Sequence, residues 1–277
     1  MIDHQTQLNL VIGNPLTHTQ SPLLHNRVYA LLNCNAVLLA HETKNLSETV
    51  RALKTLSIGF AAVTIPYKAG IVSYLDDKSP DVEKMGVANT VILRDGKLMG
   101  YNTDIDGVAH AFRNISVVGK KALIIGAGGA SDAIACYLAN NHADLLWLNR
   151  TREKALAHIK KWGGECVDRD ALEKRDIDII INTTPIGMFP DMSCSPLPNY
   201  DFQPNQIVFD MVYNPVETLF LKQAREKNAT CISGLDMFIG QGLKQIELWL
   251  NRSIVTPELI LSLQSLLIHA QTARETA

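Results

Sequence analysis

No apolar run in this 277-residue chain reaches the roughly 18 residues that a membrane-spanning helix needs. The opening Met-Ile-Asp-His-Gln-Thr-Gln carries neither a basic segment nor an apolar one. A leader peptide is therefore not expected, and the expected location is cytoplasmic. Cysteine is scarce: five, at positions 34, 136, 166, 194 and 231, with no Cys-x-x-Cys pair and no Cys/His ligand cluster. That spacing reads as reduced cytosolic thiols used in packing. An excess of one charge is also lacking. The 26 basic and 28 acidic side chains leave a formal −2, so no global field points to nucleic acid or to an anionic membrane. Low-complexity segments and internal repeats are absent as well. What is present is 47% hydrophobic residues, enough for a sizeable core in one large domain or two ordinary ones.

The most informative stretch is 120–151. Residues 122–125 are a short apolar run bounded by lysine and glycine, which suits a buried parallel strand. Gly126, Gly128 and Gly129 follow at once, Ile134, Tyr137 and Leu138 recur at helical spacing, and 145–148 is a second strand. Strand, glycine turn, helix and strand make a βαβ unit. In that context Gly126 permits a tight turn, and Gly128 lets backbone approach a pyrophosphate at a helix N-terminus. Without a ligand the same pattern is a βαβ unit with a glycine-rich turn. An NAD site usually ends its second strand in an acid that binds the ribose. Here the strand ends in Asn149-Arg150-Thr151-Arg152, with Lys154 beyond. Paired guanidinium donors suit a 2′-phosphate, so the expected cofactor is NADP. A solvated basic start to a helix is the plainer alternative.

Elsewhere 9–12 reads as a first strand running into Gly13-Asn-Pro-Leu-Thr-His-Thr19-Gln-Ser21-Pro22. Pro22 suits the first helical turn, which makes Ser21 the expected N-cap. Thr19 and Ser21 then either hold a carboxylate or merely start the helix. Residues 36–41 are strand-like and 46–56 helical. The strand 60–65 stops at Pro66, and Lys68 is expected to open a helix over 69–75, against the macrodipole. Such a conflict marks either a site or an ordinary surface lysine. Strands 89–93 and 97–101 flank the turn Arg94-Asp95-Gly96. They lead into Asn102-Thr103-Asp104, which either caps a helix over 105–112 or presents Asp104 to a cleft. A third buried strand, 177–181, ends in the loop 182–188, which is expected to touch the dinucleotide. A strand at 207–211, a helix over 216–227, a strand at 230–232 and two final helices complete the chain, with a polar tail expected to fray.

Taken together these segments resemble the shikimate dehydrogenase family over nearly the whole chain. The resemblance is carried by 13–26, Val-Thr-Ile-Pro-Tyr-Lys (63–68), Gly-Val-Ala-Asn-Thr (86–90), Asn-Thr-Asp (102–104), Gly-Ala-Gly-Gly-Ala (126–130), Asn-Arg-Thr (149–151), Asn-Thr-Thr-Pro-Ile-Gly-Met (182–188) and 234–241. It implies an α/β substrate domain over 1–104 and a Rossmann-type NADP domain over 105–235. C-terminal helices over 236–277 would return to the substrate domain. It implies reversible NADPH-dependent reduction of 3-dehydroshikimate to shikimate, on the route to chorismate and the aromatic amino acids, by a monomer or homodimer. The family's proton-handling pair falls on Lys68 and Asp104. Substrate contacts fall on Thr19, Ser21, Thr64, Lys68, Asn89, Asp104, Tyr213 and Gln241. Cofactor contacts fall on Gly126, Ala127, Gly128, Gly129, Ala130, Asn149, Arg150, Thr151, Arg152, Thr183, Met188, Met211 and Gly234. No metal is called for, because a lysine supplies the electrophile.

Three residues depart from the family pattern. Thr19 replaces a serine in the carboxylate clamp. Asp132 stands where a basic residue is usual and would repel phosphate if it faced the ligand. Ile105-Asp106 replaces a glycine. The competing readings are a quinate/shikimate dehydrogenase and a catalytically silent NADP-binding regulator on the same fold.

Overall fold

The structure is a computed structural model and describes residues 2–275. In chain order it has β1 (Gln7–Gly13), α1 (Ser21–Leu31), β2 (Ala36–Glu42), α2 (Leu46–Thr55), β3 (Phe60–Val63), a 3-10 turn (Gly70–Tyr74), β4 (Asp77–Lys78), α3 (Pro80–Met85), β5 (Thr90–Arg94), β6 (Lys97–Tyr101) and α4 (Asp104–Ala111). There follow β7 (Lys121–Ile125), α5 (Ser131–Asn140), β8 (Asp144–Leu148), α6 (Arg152–Trp162), β9 (Glu165–Cys166), a 3-10 turn (Arg169–Lys174), β10 (Ile179–Asn182), β11 (Ile207–Asp210), α7 (Leu219–Glu226), β12 (Thr230–Ser233), α8 (Gly234–Leu250) and α9 (Pro257–Glu275). The chain divides into two compact units. Residues up to Asp106 with Gln241–Ala270 form one, and Gly107–Gly240 with the chain from Gln271 form the other. The sequence reading sets these junctions after residues 104 and 235. Helix α9 runs to Glu275, and the last two residues of the expected tail lie outside the described residues.

The first unit is built on a six-stranded mixed sheet in the order β2-β1-β3-β5-β6-β4. β1 pairs in parallel with β2 and β3, while β3–β5 and β5–β6 are antiparallel. Asp95 and Gly96 both have positive φ, 50° and 75°, which is the two-residue hairpin turn that Asp-Gly favours. Ile12, Leu53, Val63, Ile71, Val91 and Leu98 fill one core of this unit.

The second unit has a wholly parallel sheet in the order β12-β11-β10-β7-β8-β9. Its inner strands β7, β10 and β11 are largely apolar runs, as burial on both faces requires. β7 lies between β8 and β10, so the chain reverses its direction of travel there. The crevice at the carboxyl ends of β7, β8 and β10 is the place where open α/β sheets bind ligands.

Three local expectations are corrected. Ser21 is not the N-cap of α1. Leu24 N–H bonds the Gln20 carbonyl at 3.1 Å, so the helix starts one residue earlier, and Thr19 Oγ1 accepts from Ser21 N–H at 3.3 Å. Lys68 does not open a helix. Its carbonyl accepts from Ala88 N–H at 2.8 Å, and only a 3-10 turn forms, from Gly70. The macrodipole conflict therefore does not arise. The helix expected over 216–227 begins at Leu219, because Thr218 caps it by accepting from Leu221 N–H at 3.3 Å.

Candidate active site

In the first unit β3 stops before Pro66, and the turn that follows is closed by Tyr67 N–H on the Thr64 carbonyl at 2.9 Å. Tyr67 also anchors outward, giving its hydroxyl to the Thr43 carbonyl at 2.5 Å. This rigid turn holds Lys68, whose Nζ lies 2.5 Å from Asp104 Oδ2. Asp104 is the first residue of α4, with its N–H on Asn102 Oδ1 at 3.1 Å. The side chains are 29% and 17% exposed. The pair is thus open to a ligand yet partly shielded, where charge–charge contact is stronger than on an open surface. Its second oxygen, Asp104 Oδ1, accepts from Asn89 Nδ2 at 2.8 Å. Asn89 is buried, and its Oδ1 accepts from Thr103 N–H at 2.8 Å. A backbone N–H can only donate, so the orientation of the Asn89 amide is fixed and its NH₂ must face Asp104. The arrangement can hold a proton on Lys68, return it, and keep the acid beside it from turning away.

Thr19 and Ser21 lie at the start of α1, with Thr64 on the segment after β3. His25, one turn into α1, is fully buried. Burial pushes it down to about 4, so it is neutral at pH 7, and its Nδ1 is 2.9 Å from the Ser21 carbonyl. It therefore donates that bond and braces the start of the helix. Gln241 is in α8, within the first unit. Tyr213 belongs to the second unit, where its ring stacks on Phe238 at 4.7 Å and its carbonyl accepts from Gln271 Nε2 at 2.6 Å.

In the second unit a cavity of about 700 Å³ opens at the carboxyl ends of β7, β8 and β10. Gly126, Asn149, Arg150 and Arg152 line it, with Ile186 of the 182–188 loop; Cys166, Asp168 and Arg169 line it too, and these the sequence does not single out. These three lie at the end of β9 and the start of the 3-10 turn after it, where sequence spacing alone carries no signal. Gly126 has φ of +108°, and a Cβ there would lie 2.6 Å from Thr183 Oγ1, so only glycine fits. Thr183 in turn donates to the Ile125 carbonyl at 2.8 Å. A Cβ on Gly128 or Gly129 would meet nothing within 4 Å, so their backbone is open to a ligand. Ala127 and Ala130 belong to the same turn, which Ser131 closes by donating its hydroxyl to the Gly128 carbonyl at 2.6 Å.

No acid ends β8. Asn149 Nδ2 bonds the Thr151 carbonyl at 2.7 Å and shapes the turn that carries Arg150 outward. Arg152 Nη1 lies 3.6 Å from Asp168 Oδ1 on the exposed rim. Asp132 is held by α6. It is buried, and its Oδ1 accepts from Trp162 Nε1 at 2.6 Å, with His158 Nδ1 at 3.3 Å and Lys161 Nζ at 3.5 Å. Burial pushes the Asp132 carboxyl up, but the His158 and Trp162 bonds with the Lys161 charge more than offset this and leave it below the usual range. Met188 is exposed. Met211 follows β11, and its carbonyl lies so close to Gly234 that a Cβ there would sit 2.4 Å from it. Asp210, at the end of β11, is a buried acid that the sequence reading did not single out. Burial pushes it up to about 6, although Thr218, Val212 and Asn182 all donate to it. Among the described residues there is no group of His, Cys, Asp and Glu able to hold a metal ion, and no helix long and apolar enough to cross a membrane.

Comparison with known proteins accords with this geometry. Residues 11–91 match a family model described as the shikimate dehydrogenase substrate binding domain, and residues 108–186 match one described as shikimate / quinate 5-dehydrogenase. A protein of Bacillus mycoides named shikimate dehydrogenase (NADP(+)) is 42% identical over 256 residues, which are 88% of this chain and 92% of that one. A shikimate dehydrogenase solved in complex with NADP+ superimposes with a TM-score of 0.89 at 35% identity, covering 98% of this chain and 97% of that one. The Listeria monocytogenes shikimate 5-dehydrogenase, solved with shikimate and NAD, gives 0.86 at 32% identity over 96% and 98% of the two chains. With two family models matched in chain order and relatives aligned over almost their whole length, this chain belongs to the shikimate dehydrogenase family.

Proposed function

We propose that this chain catalyses the reversible NADPH-dependent reduction of 3-dehydroshikimate to shikimate, on the route to chorismate and the aromatic amino acids. The observation that carries the reading is the Lys68–Asp104 pair, 2.5 Å apart and partly shielded in the first unit, part of which matches the substrate-binding family model. Bound NADPH supplies the hydride to the ring carbonyl. The developing alkoxide then needs a positive charge and a proton, and Lys68 provides both. Asp104, held by Asn89, fixes the lysine and accepts a ring hydroxyl. In the oxidative direction Lys68 takes the proton back. Thr19 and Ser21 receive the substrate carboxylate at the start of α1. Thr64, Asn89 and Gln241 receive ring hydroxyls, and Tyr213 completes the set.

The second unit fits the cofactor. Open backbone at Gly128 and Gly129 suits a pyrophosphate, and Ala127, Ala130 and Gly126 shape that turn. Arg150, Arg152, Thr151 and Asn149 at an acid-free strand end suit a 2′-phosphate. Thr183, Met188, Met211 and Gly234 supply the remaining contacts. The working form is a monomer or homodimer in the cytoplasm.

The test is steady-state oxidation of shikimate and of quinate, each with NADP+ and NAD+, followed at the reduced-nicotinamide absorbance. Preference for shikimate with NADP+ is expected. Preference for quinate would overturn the substrate assignment, and preference for NAD+ would overturn the reading of Arg150. Cofactor binding without any turnover would favour a silent regulator.

A further inference from the structure

Behind the Lys68–Asp104 pair lies a buried polar chain that ends on α8. Gln245 is 2% exposed, and its Nε2 donates to the Asn89 carbonyl at 3.1 Å and to Thr90 Oγ1 at 3.1 Å. Thr90 is fully buried, and its Oγ1 donates to Asn89 Oδ1 at 2.7 Å. The direction of every link is determined. The Asn89 carbonyl only accepts, so the Gln245 NH₂ must point at it and at Thr90. Thr90 has one proton, and because Asn89 Oδ1, fixed by Thr103 N–H, can only accept, that proton goes to Asn89. Asn89 Oδ1 is thereby filled by Thr90 and by Thr103 N–H, and its NH₂ is left for Asp104 Oδ1 at 2.8 Å and Thr103 Oγ1 at 3.0 Å. The donors run one way, from Gln245 through Thr90 and Asn89 to the carboxylate that holds Lys68. Such one-way chains polarise each link in the same sense.

We propose that Gln245 is a positioning residue for the Lys68–Asp104 pair, acting through Thr90 and Asn89. This rests on the role given to Asp104 above. Gln245 sits four residues after Gln241, so the two share a face of α8. That face would then serve the substrate with one amide and the proton-handling pair with the other.

The test is kinetic, on the full chain. Gln245→Leu keeps the volume and removes the donors, and Thr90→Val removes the hydroxyl without changing shape. Each should lower kcat roughly ten- to hundredfold, as small displacements of reacting groups do. KM for shikimate and for NADP+ should change less than threefold. The double variant should lose no more than the larger single loss, because both act on one chain. A purely structural glutamine would lower the unfolding midpoint and leave kcat per folded molecule within twofold of the parent. That result, or losses that multiply, overturns the proposal. If Gln245→Leu does not fold, Thr90→Val alone decides by the same kcat criterion. Asp104→Asn separates the two readings. Full turnover in Asp104→Asn overturns both. Loss of turnover there with full kcat in Gln245→Leu overturns only the role of Gln245.

Discussion

Trp162 donates its indole N–H to Asp132 at 2.6 Å and so ties the one acid in the first turn of α5 to α6. The residue that departs most from the family pattern is thus spent inside the fold. Asp132→Ala would take this acceptor from the indole N–H of buried Trp162 and from His158 Nδ1. A loss of about 2 kcal/mol in urea unfolding at pH 6 is expected. KM for NADP+ should change less than threefold; a tenfold fall would mean that the Asp132 charge reaches the bound phosphate after all.

The same cluster sets a pH dependence. The hydrogen bond to Asp132 holds His158 above its usual range, with burial opposing and the Ala127 carbonyl assisting. A raised histidine contributes stability that is complete below its unfolded value of about 6.5 and is lost as pH rises through the higher folded value. His158→Gln should flatten that slope in unfolding experiments between pH 6 and 8. Asp132 works at the other end, since its lowered carboxyl contributes above about pH 3.8 and loses that contribution in acid.

Asp210 carries the opposite sign to Asp132. Its folded form favours the proton, with a value of about 6. The stability this gives is present below the unfolded value and declines as pH rises through 6, by about 3 kcal/mol in total and roughly 1.5 kcal/mol of it between pH 5 and 8. Asp210→Asn keeps the shape and should remove that decline. Parallel unfolding curves for parent and variant across the range would show that the carboxyl is ionised throughout.

Removing Lys68 tests the chemistry directly. Lys68→Met should lower kcat about a thousandfold while NADPH affinity, read by fluorescence titration, stays within twofold. A variant with parental kcat would place the proton donor elsewhere.

Cofactor choice should depend on Arg150. Arg150→Ala is expected to lower kcat/KM for NADP+ ten- to hundredfold, the worth of roughly 1.5–3 kcal/mol for a charge-assisted phosphate contact. The value for NAD+ should hardly change. Equal losses with both cofactors would move Arg150 from phosphate discrimination to a general role.

What could be read from the sequence was local. The glycine turn, its flanking strands and the basic end of β8 lie within about thirty residues, and each has its own steric or electrostatic signature. The partnership of Lys68 with Asp104 came from the resemblance, because 36 positions separate them and no periodicity joins them. The sequence misleads where a distant partner takes over a backbone group. The Ala88 N–H claims the Lys68 carbonyl, so the expected helix shrinks to a 3-10 turn. Gln245 was invisible for the same reason, since it meets Thr90 across 155 positions. Asp132 reads as a liability in the sequence because its donors, His158 and Trp162, stand 26 and 30 residues on.

The first unit draws its residues from both sides of the second. During synthesis its sheet leaves the ribosome early, but the segment that satisfies the Asn89 carbonyl and Thr90 arrives with α8, after Gly240. At ordinary elongation rates that interval is on the order of ten seconds. The second unit, by contrast, has all but its short segment from Gln271 as soon as Gly240 emerges. The half that carries the lysine therefore waits longest, between its first and second segments, for the residues that complete it.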